Sequence, residues 1–337
     1  MTPTVDGATL TVRRYSMAGI LIESAFELRE LEPLPDEIDT AEADLRSADG
    51  LSVIISCTEV DELPATVLVE GDPTFVPIDG GLRLVVPGLV LLFIHADGSQ
   101  VDLHLCRNRS IEGDVLVSHL LVDHAIPRLL VARGATALHA TCVVEDGNAF
   151  AFLGASGAGK STMAVGFCAD GAALVADDCL VVRAGGRGAL ALPSYPGGRL
   201  RDDSFESFSL DRIPLPAASG KKRIPLTGTD GPTPLVAIIL LVRDEQCEAS
   251  TIEKLAPSAA LWALAGHGFA SALADREMDT TKRSGAQAMV GMRWLAEKVP
   301  VLVLRYPSDL AALADVRSHV RAAVHDLTND GIKEVMT

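Results

Sequence analysis

Aromatic residues are scarce: 3 Tyr, 2 Trp and 9 Phe make up only 4% of a 337-residue chain. A core must therefore come mostly from Ala, Val, Leu and Ile, and material is sufficient because apolar residues reach 48%. Basic residues are the minority charge, 29 Lys and Arg against 45 Asp and Glu, for a net charge of −16. So acidic a surface repels nucleic-acid backbones and anionic membranes, which excludes both as expected partners. Long apolar runs are missing as well. "PGLVLLFIHA" and "PLVAIILLV" are the longest, and a membrane-spanning helix needs about 20 such residues. The opening "MTPTVDGATL" has neither a basic head nor an apolar stretch, so no signal peptide is expected. The cysteines (57, 106, 142, 168, 179 and 247) include no C-x-x-C pair, which argues against a zinc cage or redox motif. Scattered thiols fit a reducing compartment, and the expected location is the cytoplasm.

What is present changes character along the chain. Residues 1 to about 110 carry short alternating or apolar runs, "LSVIIS", "ATVLVE" and "LRLVV", that predict strands. "LVLLFIHADGSQVDLHLC" predicts a hairpin around an Asp-Gly turn. The acidic, Pro-containing "ELEPLPDEIDTAEADL" predicts a solvated loop or short helix. From 113, "GDVLVSHLLVDHAIPRLLVARG" has helical spacing, with Pro127 expected to kink or split the helix. His119 and His124 are five apart, off the i, i+4 spacing that shares a face, and predict ordinary helix histidines. A domain boundary is expected near 108–114. Beyond 138 come "TCVVE-DGN-AFAFL" and "CLVVR-AGGRG-ALALP", two further hairpins, with a short helix "STMAVGFCADG" closed by Gly171 between them. "TPLVAIILLVR" predicts a fully buried strand. Two helical segments after 255, a strand "PVLVLRYP" and a final helix over about 308–326 complete an α/β core.

Residues 154–162, "GASGAGKST", fit G-x-x-x-x-G-K-[ST] at Gly154, Gly159, Lys160 and Ser161. Glycines let consecutive backbone N–H groups turn inward around a phosphate. The helix that follows presents its N-terminus to the same anion. Lys160 can reach the β and γ phosphates, and the Ser161 hydroxyl can ligate Mg²⁺. The expected nucleotide site is the whole loop: Gly154, Ala155, Ser156, Gly157, Ala158, Gly159, Lys160, Ser161 and Thr162. Seventeen residues after Lys160, Asp177 and Asp178 end the apolar strand "AALVA". The connection between them predicts that this strand returns beside the strand leading into the loop, with the aspartates on the phosphate side. One carboxylate can hold Mg²⁺ and the other can accept a proton from an attacking hydroxyl. The sequence leaves open which does which. No N-K-x-D or L-S-G-G-Q occurs, which disfavours a translational-type GTPase and a transporter ATPase.

The stretch 138–182, "LHATCVVEDGNAFAFLGASGAGKSTMAVGFCADGAALVADDCLVV", resembles the catalytic core of the HPr kinase/phosphorylase family. In that family a His precedes a hairpin, a P-loop and an "L-V-A-D-D" strand end. The resemblance implies a P-loop, phosphoenolpyruvate-carboxykinase-like α/β core at 113–337; the strand-rich residues 1–112 are expected to form a structural or substrate-docking β domain. It implies ATP and Mg²⁺ as cofactors, a protein or peptide serine as acceptor, and a homo-oligomer. "LPSYPGGRLRDDSF" and "SGKKRIPL" look more like a divergent branch that accompanies ribosomal peptide clusters, lasso peptides included. Some members of that branch phosphorylate the C-terminal serine of a precursor peptide. Thr162 stands where HPr kinases usually carry Glu, and no "R-G-L-G-I-I-N" segment occurs. The expected acceptor is therefore not HPr.

His139 matches the family histidine; it either assists proton transfer or orients an aspartate, and a satisfied core histidine is the plain alternative. Arg199, in "PGGRL", can clamp a phosphate or a peptide carboxylate bidentately. Lys221, Lys222 and Arg223 form a basic triplet suited to the γ-phosphate or an acidic substrate. The leading expectation is a serine kinase acting on a peptide or small protein. A phosphohydrolase or phosphorylase using the same site and a non-catalytic nucleotide sensor are the alternatives.

Overall fold

The computed structural model describes residues 4–5, 8–9, 12–35, 52–63, 75–186, 188–195, 197–200, 215–216, 222–269 and 279–335. "ATVLVE", most of the acidic Pro-containing segment and Lys221 lie outside the described residues. The protein is mixed α/β and divides by contact into two units, 1–134 with 272–285 and 135–271 with 286–337.

In the first unit β1 (Thr4–Val5) pairs with β2 (Ala8–Thr9). A seven-stranded sheet is built from β3 (Arg13–Met17), β4 (Ile20–Ser24), β5 (Ser52–Val60), β6 (Val76–Ile78), β7 (Gly81–Val86), β8 (Val90–His95) and β9 (Gln100–Cys106). Its order is β3-β4-β5-β9-β8-β7-β6. Alternation does the sorting: Val90, Leu92 and Ile94 on β8 and Val101, Leu103 and Leu105 on β9 are buried, and their neighbours face outward. The expected Asp-Gly hairpin is the β8–β9 pair, with Gly98 at φ 69°.

The helical segment belongs with this first unit. It runs as α1 (Ile111–Leu120), a π-helical turn (Leu121–Ala125) and α2 (Ile126–Ala132). Pro127 has no N–H to give, and the chain meets that loss by widening the preceding turn, with Ile126 N–H donating to Leu121 C=O. The wider turn also brings His119 and His124 together, ring centroids 5.2 Å apart, where an α-helix would have separated them. His119 Nδ1 lies 2.6 Å from the buried Asp123 carboxylate. Ser118 Oγ accepts from Arg29 N–H, Arg133 donates to Ser52 C=O, and Arg128 covers the Phe75 ring. By contact the first unit runs to Gly134 and includes this helical segment. By length and composition 111–132 is apolar enough to cross a membrane, and most of it is buried inside the fold.

The second unit carries a nine-stranded sheet. Its members are β10 (Thr136–Leu138), β11 (Thr141–Glu145), β12 (Asn148–Leu153), β13 (Ala173–Ala176), β14 (Leu180–Gly185) and β15 (Gly188–Leu192), then β19 (Thr233–Arg243), β20 (Thr251–Lys254) and β21 (Val301–Tyr306). A separate small sheet joins β16 (Gly197–Leu200), β17 (Leu215–Pro216) and β18 (Lys222–Pro225) in the order β16-β18-β17. The helices are α3 (Lys160–Ala169), α4 (Pro257–Gly266), α5 (Asp279–Lys298), of which 286–298 belong to this unit, and α6 (Leu313–Val335). Both faces of the large sheet are covered. Phe150 and Phe152 of β12 point to one side and cluster with Phe167 of α3, at centroid distances of 5.1–5.8 Å. Ala149, Ala151 and Leu153 point to the other, where Leu264 of α4 and Leu295 of α5 pack. That two-sided burial is why "NAFAFL" and "TPLVAIILLVR" read as unbroken apolar runs.

The β11–β12 and β14–β15 hairpins form as the Asp-Gly and Gly-rich turns predict. One expectation changes. β13 pairs with β11, not with β12. Both edges of β12 are already taken, by its hairpin partner β11 and by β19 in parallel register.

Candidate functional site

The glycine loop links the end of β12 to the start of α3. Gly154, Gly157 and Gly159 have φ of 152°, 83° and 91°, backbone states that an L side chain rarely adopts. Gly154 is crowded as well, since a Cβ there would lie 2.8 Å from that of Ala158. The loop thus folds as a tight cradle ahead of the α3 N-terminus. Lys160 is 6% exposed and folds back on its own loop, donating to Gly154 C=O at 2.8 Å.

Asp177 is fully buried at the end of β13. Its Oδ1 accepts from Ser161 Oγ at 3.0 Å and from Thr141 Oγ1 at 2.7 Å, and its Oδ2 accepts the Arg199 backbone N–H at 3.0 Å. The aspartate therefore ties three distant segments into one point although β13 is one strand removed from β12. Burial, followed by the neighbouring Asp178 charge, pushes its carboxyl up to about 6, against the pull of those donors and of the Arg199 charge.

Asp178 has φ 60°, with Cys179 N–H closing back on Asp177 C=O at 2.8 Å. That three-residue turn with a left-handed centre is a strained geometry. In a continuing strand the two carboxylates would face opposite ways. Here both meet Arg199, whose Nη1 lies 3.4 Å from Asp178 Oδ2. His139 flanks the same residue. Its Nδ1 is 3.0 Å from Asp178 C=O, and a carbonyl only accepts, so Nδ1 carries the proton. Nε2 is left beside Asp178 Oδ1 at 3.7 Å.

Arg199 is 3% exposed and turned to Asp178, which places it as the counter-charge of an aspartate rather than as a surface clamp. Arg223 stands opposite it in the β16–β18 register, and both guanidiniums lie over the Tyr195 ring, at 5.5 and 5.6 Å. A Cβ on Gly197 would come within 2.7 Å of Arg223 Nε, so glycine leaves room for the arginine as it lies here. Lys222 is half-buried one residue before it. Ala155 and Ser156 are exposed at the loop tip, and Thr162 is half-buried in the first turn of α3.

Four residues here were not singled out from the sequence. Thr141 sits two positions after His139, and alternation along β11 was its only signal. His267 C=O accepts from His139 N–H at 2.7 Å. Burial first, then the charges of Lys160 and His139, hold the His267 ring below the usual histidine range, hence neutral at pH 7. Tyr306 donates to Ala158 C=O, and Arg243 Nη1 lies 3.4 Å from Gly157 C=O. Both end apolar strands, where ligand sites of α/β sheets gather. Among the described residues no three His, Cys, Asp or Glu side chains form a metal cage.

No family model matches the chain. No curated protein matches it either. Among solved structures, the HPr(Ser) kinase/phosphatase from Coxiella burnetii is similar at 16% identity, covering 59% of this chain and 96% of that one, with a TM-score of 0.31.

Proposed function

We propose that the protein is an ATP- and Mg²⁺-dependent phosphotransferase that phosphorylates a serine hydroxyl on a peptide or small protein. The observation that carries this reading is the split between two adjacent carboxylates. Asp177 accepts from Ser161, Thr141 and the Arg199 amide, which fix its two oxygens. Asp178 is held beside it by Arg199 and His139.

In this reading the loop amides, the α3 N-terminus and Lys160 receive the triphosphate. Lys160 leaves the Gly154 carbonyl to do so. Ser161 Oγ and Asp177 offer hard oxygen donors suited to Mg²⁺, which takes one or two carboxylates and keeps its remaining positions for water and phosphate. When bound, the ion neutralises charge on the phosphate oxygens. Asp178 is the base. It takes the proton as the serine oxygen bonds to the γ-phosphorus, and the bond from that phosphorus to the β,γ-bridging oxygen breaks, releasing ADP. Arg199 orients Asp178 from one side, and His139 Nε2 lies beside its Oδ1 on the other.

The acceptor fits the basic residues of β18. With Arg199 committed to Asp178, Arg223 and Lys222 on β18 are the groups that would hold an acceptor's C-terminal carboxylate. Such an anchor converts affinity into orientation of a neighbouring serine hydroxyl, and a C-terminal serine of a lasso precursor has this form. Mass spectrometry of serine-terminated peptides, free-acid and amidated, and of HPr, incubated with ATP and Mg²⁺, tests the reading. One phosphoryl group on the free-acid peptide supports it. ATP turnover without peptide modification would replace it with a phosphohydrolase, and efficient HPr phosphorylation would remove the carboxylate anchor.

A further inference from the structure

The glycine loop turns over the C-terminal ends of two parallel neighbours. β12 runs beside β19, with Leu153 opposite Leu240, and β19 runs beside β21, with Arg243 opposite Tyr306. Arg243 and Tyr306 are thus register partners at one edge of the sheet, and both reach the loop. Tyr306 Oη donates to Ala158 C=O. Arg243 Nη1 approaches Gly157 C=O at 3.4 Å, while Nη2 donates to Ser308 C=O at 3.0 Å. Tyr306 is 3% exposed, so its hydroxyl is fixed by packing rather than free to swing.

A peptide unit is planar and trans, so its C=O and N–H point in opposite directions. Holding Ala158 C=O against Tyr306 directs the N–H of Gly159 to the other side. That N–H is the last one before the α3 N-terminus, where an anion is received. Gly159 bears a second mark of the contact. Besides its φ of 91°, a Cβ there would lie 2.6 Å from Tyr306 Oη. The loop glycine and the tyrosine fit each other sterically as well as through the hydrogen bond. Burial pushes the Tyr306 phenol up to about 12, so the hydroxyl remains a donor through the whole working pH range.

We infer that Tyr306, assisted by Arg243, is a positioning residue for nucleotide binding: it sets the peptide orientation that presents the Gly159 N–H to the triphosphate. The inference rests on the phosphotransferase reading of the loop and adds to it two residues distant in the chain, Tyr306 at 148 positions from Ala158 and Arg243 at 86 from Gly157.

Tyr306→Phe keeps the ring and removes only the hydroxyl. Calorimetric titration with ATP·Mg²⁺ and with pyrophosphate is the first measurement. One neutral hydrogen bond predicts a Kd about 3- to 10-fold weaker for both probes. The KM for ATP should rise by the same factor, while the KM for peptide and kcat at saturating ATP change less than about twofold, the pattern of lost uniform binding. A purely structural tyrosine would instead lower the thermal midpoint of the nucleotide-free protein and leave this split absent. Arg243 is exposed, so Arg243→Gln tolerates substitution and keeps the test decisive if Tyr306→Phe fails to fold. Its longer contact predicts about a 2- to 5-fold loss in the same titrations. Wild-type affinity in both variants overturns the inference. Wild-type protein that binds neither probe overturns the inference together with the reading beneath it. Wild-type binding without peptide transfer, combined with weaker binding by Tyr306→Phe, supports the inference and removes only the kinase assignment.

Discussion

Replacing Asp177 with Asn should make the protein more stable and inactive at once. The carboxylate is fully buried beside a second one, and its pKa moves from 3.8 to about 6. A shift of about two units at about 1.4 kcal/mol per unit makes the ionised form roughly 3 kcal/mol less favourable in the fold than its protonated form. Asn is close in shape to the protonated acid. Its carbonyl can accept the Arg199 N–H, and its amide can donate to the Thr141 and Ser161 hydroxyls, which accept as readily as they donate. We expect Asp177→Asn to gain about 1–3 kcal/mol at pH 7.5, a rise of several degrees in thermal midpoint. The sign of the pH dependence follows from linkage. The folded state binds this proton more tightly than the unfolded one, so the wild type loses stability as pH rises from about 4 to about 6. The advantage of the Asn variant is therefore full above about 6 and fades toward 4. Denaturant titrations of both proteins across that window give the difference directly. A variant that is less stable at pH 7.5, or an advantage that does not shrink on acidification, refutes the account of Asp177 as a buried charge retained for function.

Lys160→Ala should abolish phosphoryl transfer and weaken ATP binding, since the loop amides then lack their one point charge; calorimetry and a peptide assay read both. Asp178→Asn should lower kcat by about 10²–10⁴-fold with ATP affinity kept, the mark of a lost general base, and near-normal turnover would remove Asp178 from that role. Amidating the peptide C-terminus should slow transfer, and Arg223→Ala or Lys222→Ala should shrink the difference between the two peptide forms. Gly159→Ala should destabilise the fold by about 1–3 kcal/mol through its left-handed φ and the collision with Tyr306, and the added change Tyr306→Phe should return part of that loss in chemical denaturation.

The parts legible in the sequence are the local ones. The Asp-Gly hairpins, the loop ahead of α3 and the paired aspartates each depend on residues a few positions apart. The position of β13 was missed because strand adjacency is a competition: β11 and β19 occupy both edges of β12, and no local signal in "AALVA" reports that. The pairing of His119 with His124 was missed because Pro127 widens one helical turn, which changes the periodicity on which the spacing argument rests. Arg199 reads from sequence as a clamp for a phosphate or peptide carboxylate, because an arginine preceded by two glycines carries no mark of burial; its partner, Asp178, is 21 residues away. Tyr306 and Arg243 look from sequence like ordinary strand ends, and only the parallel register places them against the loop.

That register has a consequence for how the molecule is made. The strand that leads into the glycine loop ends at Leu153, its parallel neighbour begins at Thr233, and the tyrosine that holds the loop stands at 306. Chain emerging from a ribosome carries the loop long before it carries either neighbour. Closure over such separations costs loop entropy before any contact repays it, so this part of the sheet forms slowly and late. A nascent or truncated chain ending before β21 has the whole phosphate-loop sequence without the edge that shapes it. Nucleotide binding should therefore arise abruptly, near the end of synthesis, and ATP should act as a selective stabiliser of finished molecules over unfinished ones.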